Sequence, residues 1–98
     1  MIVSKLEIDQ KNSLYYEFEE GKQNTYTYVF VNALTGNTSA WNGVIGKRIR
    51  DAGHGYLTYN FRGQINSSFD ESINLTSEII ISDLLKLIDH LNLKNTIL

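Results

Sequence analysis

A short apolar run that passes directly into a polar turn constrains this sequence more than any other feature. Residues 28–31 read YVFV, a pattern typical of a strand covered on both faces. The segment 32–39 is rich in asparagine, threonine, serine and glycine, which favour turns, free backbone donors and helix caps. We therefore predict a buried strand of a parallel sheet over 26–31, followed by a turn of the kind where open α/β sheets bind ligands.

Length and composition limit the chain to one domain of ordinary soluble character. It has 98 residues, of which 42% are hydrophobic and 20% are charged, and this suits a modest core. The net charge of -2 argues against nucleic acid or an acidic membrane as a partner. No cysteine occurs, which excludes disulfides and the common structural zinc sites. The N-terminus lacks the apolar core of a signal peptide, so we expect a cytoplasmic location and no membrane partner.

Two alternating segments at the N-terminus predict a β-hairpin. Apolar residues keep one parity in 2–8 and again in 14–18, with the polar sequence DQKNS between them. Alternation of this kind indicates antiparallel strands with one face on a core and the other in water. The residues expected on the core face are Ile2, Leu6, Ile8, Leu14, Tyr16 and Phe18.

A helix is predicted after the polar turn. Thr38 or Ser39 can cap its start, and Gly53 suits the left-handed residue that follows its end. Gly43 and Gly46 weaken this helix by about 1 kcal/mol each, so we expect them to allow a close approach to the sheet. Its apolar residues at helical spacing are Trp41, Val44, Ile45, Ile49 and Ala52.

Three basic residues lie near the end of this predicted helix. Lys47, Arg48 and Arg50 complement the negative end of the helix dipole. A phosphate site is disfavoured, because phosphates bind at the opposite end of a helix.

The remaining sequence predicts a second core strand over 56–61, a longer helix over 76–91 and the start of a third core strand at 96–98. If the two helices lie on opposite faces of the sheet, the core strand at 96–98 must lie beside the one at 26–31, on the side away from the one at 56–61. We therefore expect the α/β class, with an antiparallel hairpin leading into a mostly parallel sheet that has helices on both faces. We also expect an incomplete polypeptide, because so short a last strand leaves an apolar sheet edge uncovered.

Three runs, taken in order, resemble the N-terminal third of the α/β-hydrolase fold superfamily, the esterase- and lipase-like enzymes: VFVNALTGNTSAW, RDAGHGYLTYNFRGQINS and LTSEIIISDLLKLIDHLNLKNTIL. The resemblance covers 26–98, and the hairpin at 1–20 matches the first two strands of that fold. It implies a single partial α/β-hydrolase domain over 1–98, with a βαβαβ portion at 26–98 that ends just before the nucleophile elbow, Gly-x-Ser-x-Gly. We expect no cofactor and no metal.

The resemblance also implies a site. In the family the third strand ends in a His-Gly pair, and the backbone N–H of the next residue forms half of the oxyanion hole. The matching pair here is Asn32-Ala33, which makes the backbone N–H of Leu34 the catalytic donor. Asn32, Ala33, Thr35 and Gly36 are then expected to bind the substrate. Because the donor is a backbone group, the side chain of Leu34 is free to vary.

A second turn resembles the Arg-Gly-x-Gly-x-Ser sequence of the family. Arg62, Gly63 and Ser67 match it, with Ile65 in place of the second glycine. The resemblance implies that Arg62 mainly organises loops.

The histidines are not expected to be catalytic. His54 and His90 are predicted to be surface or packing residues, because no serine here lies on an elbow that presents it as a nucleophile. They also lie far apart without a close carboxylate cluster, so they give no metal-ligand set.

Three functional classes follow. The favoured one is the N-terminal part of a serine-type hydrolase of esters or related acyl substrates, which is inactive alone and needs the remaining C-terminal half as its partner. The second is a non-catalytic truncated relative that forms a homo-oligomer, or binds another partner, through its open sheet edge. The third is a nucleotide-binding α/β domain. It is disfavoured because neither Gly-x-Gly-x-x-Gly nor a Walker loop follows a core strand.

Overall fold

The computed structural model describes residues 1–33 and 36–98, and within these ranges it has one sheet of five strands. The strands are β1 (Ile2–Glu7), β2 (Ser13–Glu19), β3 (Thr27–Phe30), β4 (Gly55–Tyr59) and β5 (Thr96–Ile97). The helices are a 3-10 helix (Thr38–Ala40), α1 (Val44–Asp51) and α2 (Ser77–His90). β1 pairs with β2, and β2 with β4, in antiparallel fashion, whereas β3 is parallel to both β4 and β5. The predicted α/β class and the leading hairpin are confirmed, and the described sheet as a whole is mixed.

The strand order confirms the position predicted for the third core strand. The order across the described sheet is β1-β2-β4-β3-β5, so β3 lies between β4 and β5. Thr27 pairs with Thr96, and Tyr28 pairs with Ile97. The chain thus crosses from β3 to β4 in one direction and returns past β3 to β5, which makes the end of β3 a topological switch point.

The hairpin alternates as predicted along β2 but only in part along β1. Leu14, Tyr16 and Phe18 are buried in the core. Leu6 packs against them, whereas Ile2 is 52% exposed although it lies opposite Phe18 in the register. The difference arises because β1 is an edge strand of the described sheet, with a neighbour on one side.

The most deeply buried strand is β4, which corrects the expectation that β3 is covered on both faces. All of β4 is buried, whereas Val29 is the residue of β3 that is buried and Tyr28 and Phe30 are half-buried. Val31, which follows β3, is 41% exposed. The reason is that β4 has full-length neighbours, while β5 pairs only with the first two residues of β3.

Helix α2 packs on the hydrophobic core. Thr76 caps it by accepting a 3.2 Å hydrogen bond from Ile79 N, and Asn92 adopts a left-handed φ of 56° just after its end. Leu87 is fully buried, and other apolar residues of the helix and its end pack against the same core. They are Ile80, Leu84 and Leu91. No helix in the described ranges has both the length and the apolar character that a membrane span requires.

Helix α1 lies on the opposite face of β4. Gly46 packs so closely on Tyr56 that an added Cβ would lie 2.8 Å from the ring, which confirms the predicted close approach. The neighbouring Leu57 belongs to the core cluster that includes Leu87 of α2. Because successive side chains of a strand point to opposite faces, the helices cover both faces of the sheet, as predicted.

The start of α1 differs from the prediction. The cap of the 3-10 helix is Asn37, whose Oδ1 accepts a 2.9 Å hydrogen bond from Ser39 N, and α1 begins only after Gly43. Thr38 and Ser39 are therefore not the cap of α1. Gly43 also has open space around it, with no atom within 4 Å of an added Cβ, so its predicted role in close packing is wrong.

Candidate functional site

Two polar loops meet at one edge of the sheet. Because β3 and β4 are parallel, the loop that begins at Val31 and the loop that begins at Asn60 leave the sheet at the same end. This is the end at which open α/β sheets bind ligands, and it coincides with the switch point at β3. The hydrogen bonds between the two loops define the geometry of the site.

Asn32 is the buried link between the loops. Its side chain Nδ2 donates to the backbone oxygen of Tyr59 at 2.8 Å, to Oδ1 of Asn60 at 3.0 Å and to Oε1 of Gln64 at 3.1 Å. Its Oδ1 accepts a 2.7 Å hydrogen bond from Nε1 of Trp41. Both ends of the amide are satisfied, so Asn32 holds the first residues after β3 against the end of β4.

Asn60, the residue that follows β4, is the second buried link between the two loops. It is 1% exposed, and its Oδ1 accepts a 2.9 Å hydrogen bond from Thr38 N, at the start of the 3-10 helix. Its Nδ2 donates to the backbone oxygen of Ile65 at 2.7 Å. Burial of an amide without such partners would cost roughly 1–3 kcal/mol, so these bonds favour a single arrangement of the described residues that they join.

The backbone carbonyl of Ala33 receives two donors. Nε2 of Gln64 donates to it at 2.9 Å, and the backbone N–H of Gly36 donates to it at 2.9 Å. Ala33 itself is exposed, and Gly36 is half-buried. The carbonyl that precedes the predicted donor residue is therefore fixed from two sides.

Aromatic rings form a wall beside this loop. Trp41 stacks on Phe30, with the ring centroids 5.0 Å apart, and Phe30 in turn lies 5.5 Å from the ring of Tyr56. Phe30 and Trp41 are half-buried, so they can supply apolar surface for a ligand.

The turn after β4 is held by Arg62 and Ser67. Arg62 Nε and Nη2 donate to the two carboxylate oxygens of Asp83 at 2.7 and 2.9 Å, which ties the turn to α2. These hydrogen bonds raise the pKa of Arg62 above its usual range. Ser67 Oγ donates to Asn60 O at 2.9 Å and accepts from Tyr15 N at 2.8 Å. Arg62 thus occupies the loop-organising position that the resemblance implied.

Three of the predicted site residues, Asn32, Ala33 and Gly36, lie together at this sheet edge. The predicted oxyanion donor, Leu34, and the predicted substrate contact Thr35 lie outside the described residues. The site is therefore built from the residues that flank them on both sides.

Neither histidine lies in this site. His54 contacts the rings of Tyr26 and Tyr28, with centroids 6.3 and 5.5 Å away, and His90 lies edge-on to Tyr16 at 6.3 Å. Among the described residues no group of three or more histidine, aspartate or glutamate side chains is placed to hold a metal ion.

The described residues of the loop after β3 provide backbone and amide dipoles but no acid–base groups. The described part of the segment 31–39 carries no ionisable side chain. Asp83 is 3% exposed and paired with Arg62, so it is not free to act as a base. Uncharged, fixed donors suit the stabilisation of a developing negative charge better than proton transfer.

A cavity of about 250 Å³ lies at the other end of the sheet. Gly21, Thr27, Leu91 and Asn95 are among the residues that line it. Thr27 is the first residue of β3, so this cavity is remote from the loop that follows Phe30.

Sequence reasoning did not identify Asn60, Gln64 or Trp41 as site residues. Their partners lie in the loop after β3, up to 32 positions away in the sequence. One available signal was the polar residue Asn60 directly after a strongly apolar strand, the same junction that marks Asn32 after β3.

No protein-family model matches the sequence, and no characterised protein aligns with it significantly. Comparison of the structure with solved structures does find similar proteins. A carboxylesterase of the ammonia-oxidizing thaumarchaeon Nitrososphaera gargenis is 27% identical over 91% of this chain, with a TM-score of 0.79. An α/β hydrolase from a Medee basin deep-sea metagenome library is 25% identical over 90%, with a TM-score of 0.70. A bromoperoxidase from Bacillus anthracis is 25% identical over 97%, with a TM-score of 0.74.

The aligned regions cover 32%, 31% and 33% of those three structures, so this chain spans about a third of their length. Its strand order and helices therefore correspond to a portion of a larger α/β fold, consistent with the N-terminal portion.

Proposed function

We propose that this chain, which has the fold of the N-terminal third of an α/β hydrolase, forms part of a serine-type hydrolase of esters or related acyl substrates. It contributes one backbone donor of the oxyanion hole, the N–H of Leu34, and one wall of the acyl pocket. The nucleophile, acid and histidine come from the remainder of the enzyme. The 98-residue chain is inactive alone, because its sequence contains no Gly-x-Ser-x-Gly elbow.

The observation that carries this proposal is the set of hydrogen bonds that hold the described residues on either side of Leu34, at the switch point of the sheet. Asn32 and Gln64 hold the residues on the N-terminal side of Leu34, and Asn60 holds Thr38 on the other side. A donor held in place before the reaction requires no reorganisation when charge develops on the substrate carbonyl oxygen. The described residues of 31–39 carry no ionisable side chain, so we propose that a backbone N–H stabilises this charge.

The comparisons support the substrate class. The similar structures include a carboxylesterase and another α/β hydrolase, at 27% and 25% identity. Esters and related acyl compounds pass through a tetrahedral oxyanion, which is the species that such a donor stabilises. The stacked rings of Phe30 and Trp41 fit the role of an apolar pocket wall.

The test is a fusion in which residues 1–98 replace the aligned segment of the Nitrososphaera gargenis carboxylesterase. We expect this fusion to hydrolyse p-nitrophenyl acetate, whereas neither the chain nor the rest of the carboxylesterase does so alone. Circular dichroism reports whether the fusion is folded. A folded fusion without ester turnover, or turnover by the pure 98-residue chain, contradicts the proposal.

A second candidate function is self-association without catalysis. It is favoured by the edge beyond β5, where Ile97 is 37% exposed and Leu98 is 76% exposed. An exposed apolar edge strand is a template for pairing with another chain. A native mass spectrum of the purified protein distinguishes the two: a larger polypeptide bound to the 11.2 kDa chain supports the hydrolase, and a homo-oligomer supports self-association.

A further inference from the structure

We infer that Asn42 is a site of spontaneous covalent modification, in which its side-chain amide becomes a carboxylate through a cyclic imide with Gly43. The reaction is a deamidation, and its other reactant is water. This inference does not depend on the proposed function. It rests on the sequence at the start of α1 and on the contacts of Asn42, which the structure describes.

The first step of the argument is the sequence around Asn42. Of the asparagines in the chain, Asn42 alone is followed by glycine. The amide carbon of an asparagine can be attacked by the backbone nitrogen of the next residue, and a side chain on that residue hinders the approach. Glycine has no Cβ and adopts backbone conformations that other residues avoid. The sequence therefore favours this reaction at Asn42 over the other asparagines.

The second step is the place of Gly43 in the fold. Gly43 is the exposed N-cap residue of α1, and beyond its chain neighbours an added Cβ would meet no atom within 4 Å. The N–H of an N-cap residue has no partner within its own helix. No helical hydrogen bond therefore has to break when this nitrogen reacts, and the open space admits the water that completes the reaction.

The third step concerns the contacts of the Asn42 amide. Its Oδ1 accepts a hydrogen bond from the hydroxyl of Tyr56, which polarises the amide and makes its carbon more susceptible to attack. Its Nδ2 donates to Oε1 of Glu17 at 2.9 Å. The amide thus joins the start of α1 to β4, which carries Tyr56, and to β2, which carries Glu17.

The reaction begins when the backbone nitrogen of Gly43 loses its proton and bonds to Cγ of Asn42. The bond between Cγ and Nδ2 breaks, and Nδ2 leaves as ammonia with that proton. Water then opens the imide ring: its hydroxyl adds to one of the two carbonyl carbons, and its proton returns to the Gly43 nitrogen. Opening at Cγ gives aspartate, and opening at the backbone carbonyl gives isoaspartate. No oxidant or reductant takes part.

The products lose contacts that hold the start of α1. A carboxylate at position 42 has no donor for Glu17, so two negative groups meet where a 2.9 Å hydrogen bond was. In isoaspartate the main chain is also longer by one carbon directly before the N-cap of α1. We therefore expect the modified protein to hold α1 less firmly and to unfold at a lower urea concentration.

The first experiment ages the 98-residue chain in mildly alkaline buffer made with heavy-oxygen water. Each reaction adds one negative charge, so isoelectric focusing should show an acidic species. Peptide mass spectrometry should then locate solvent oxygen at residue 42. The control is Gly43→Ala, which should lose this species, because the added methyl group hinders the attack of the backbone nitrogen.

Three results of the ageing experiment overturn the inference. One is an intact amide at residue 42 when another asparagine has lost its own. Another is a reaction of Gly43→Ala as fast as that of the unchanged sequence. The third is an acidic species that forms at residue 42 in the urea-unfolded chain but not in the folded chain, because the fold then protects the site.

The second experiment tests the structural consequence with Asn42→Asp, which supplies one of the two products directly. Its matched control is Asn74→Asp, the same chemical change at an exposed residue. The urea midpoint of Asn42→Asp should be the lower of the two, because only this change removes the donor to Glu17. Equal urea midpoints would overturn the expected loosening of α1.

Discussion

At the scale of single residues, the buried polar groups define the site and hold it together. Asn32 and Asn60 are 6% and 1% exposed, yet each has partners for both ends of its amide. Buried polar groups of this kind are costly unless fully bonded, so these hydrogen bonds restrict the described residues that they join to few conformations. The same reasoning applies to the pair formed by Arg62 and Asp83, where the buried groups are charged.

Asp83→Asn should destabilise the protein strongly. The substitution leaves the Arg62 guanidinium, whose side chain is 7% exposed, without a charged partner. Removal of one member of a buried ion pair typically costs about 3–5 kcal/mol. The free energy of unfolding in urea should fall by an amount of this order.

The matched control for this substitution is Asp89→Asn. Asp89 lies on the same helix but is exposed, so the same chemical change should alter the free energy of unfolding by less than about 0.5 kcal/mol. Equal effects of the two substitutions would show that the Arg62–Asp83 pair does not hold the turn to α2.

At the scale of secondary-structure elements, the sequence predicts which elements form better than it predicts where they begin. A helix does form in the predicted segment, but α1 starts only after Gly43, and two residues of the predicted apolar stripe, Ile45 and Ala52, are exposed. Asn37, and not Thr38 or Ser39, caps the chain here, because its side chain accepts a hydrogen bond from Ser39 N. The helix that it caps is a separate 3-10 helix that precedes α1. The choice between neighbouring cap residues depends on tertiary packing, such as the hydrogen bond from Thr38 N to Asn60.

Gly46→Ala should destabilise the contact between α1 and β4. Alanine improves helix propensity by about 1 kcal/mol. Its Cβ, however, would lie 2.7 Å from the backbone oxygen of Trp41 and 2.8 Å from the Tyr56 ring. Overpacking of this kind costs about 1–3 kcal/mol, so we expect a net decrease in the free energy of unfolding. The control is Gly43→Ala, which adds the same methyl group in open space. If Gly46→Ala lowers the free energy of unfolding by less than Gly43→Ala does, the close approach of α1 to β4 is contradicted.

The hairpin turn between β1 and β2 should make stability depend on pH. Hydrogen bonds from Lys11 N and from the Asn12 side chain lower the pKa of Asp9 from its ordinary value of 3.8. A lowered pKa in the folded state stabilises the protein above that ordinary value, and this contribution is lost as the pH falls through the folded-state pKa. Asp9→Asn should therefore reduce the difference between the urea midpoints at about pH 7 and about pH 3. An unchanged difference would show that Asp9 has the same pKa in the folded and unfolded chain.

At the scale of the whole molecule, topology was predictable and the cross-loop contacts were not. Right-handed crossovers and helices on both faces place β5 beside β3 from sequence alone, and the structure confirms this order. The apolar-to-polar junction at Asn32 likewise marks the end of the sheet where the site lies. The roles of Asn60 and Gln64 depend on hydrogen bonds to residues 28 and 31 positions away, which no local pattern specifies.

The central claim is that the Leu34 N–H stabilises the oxyanion, and kcat of the carboxylesterase fusion with that N–H removed tests it most directly. Leu34→Pro deletes the N–H, whereas Leu34→Ala changes the side chain and keeps it. We predict that Leu34→Pro lowers kcat about 100- to 1,000-fold, the usual effect of losing one oxyanion donor. Leu34→Ala should leave kcat nearly unchanged. Equal kcat values for the two folded variants would contradict the account.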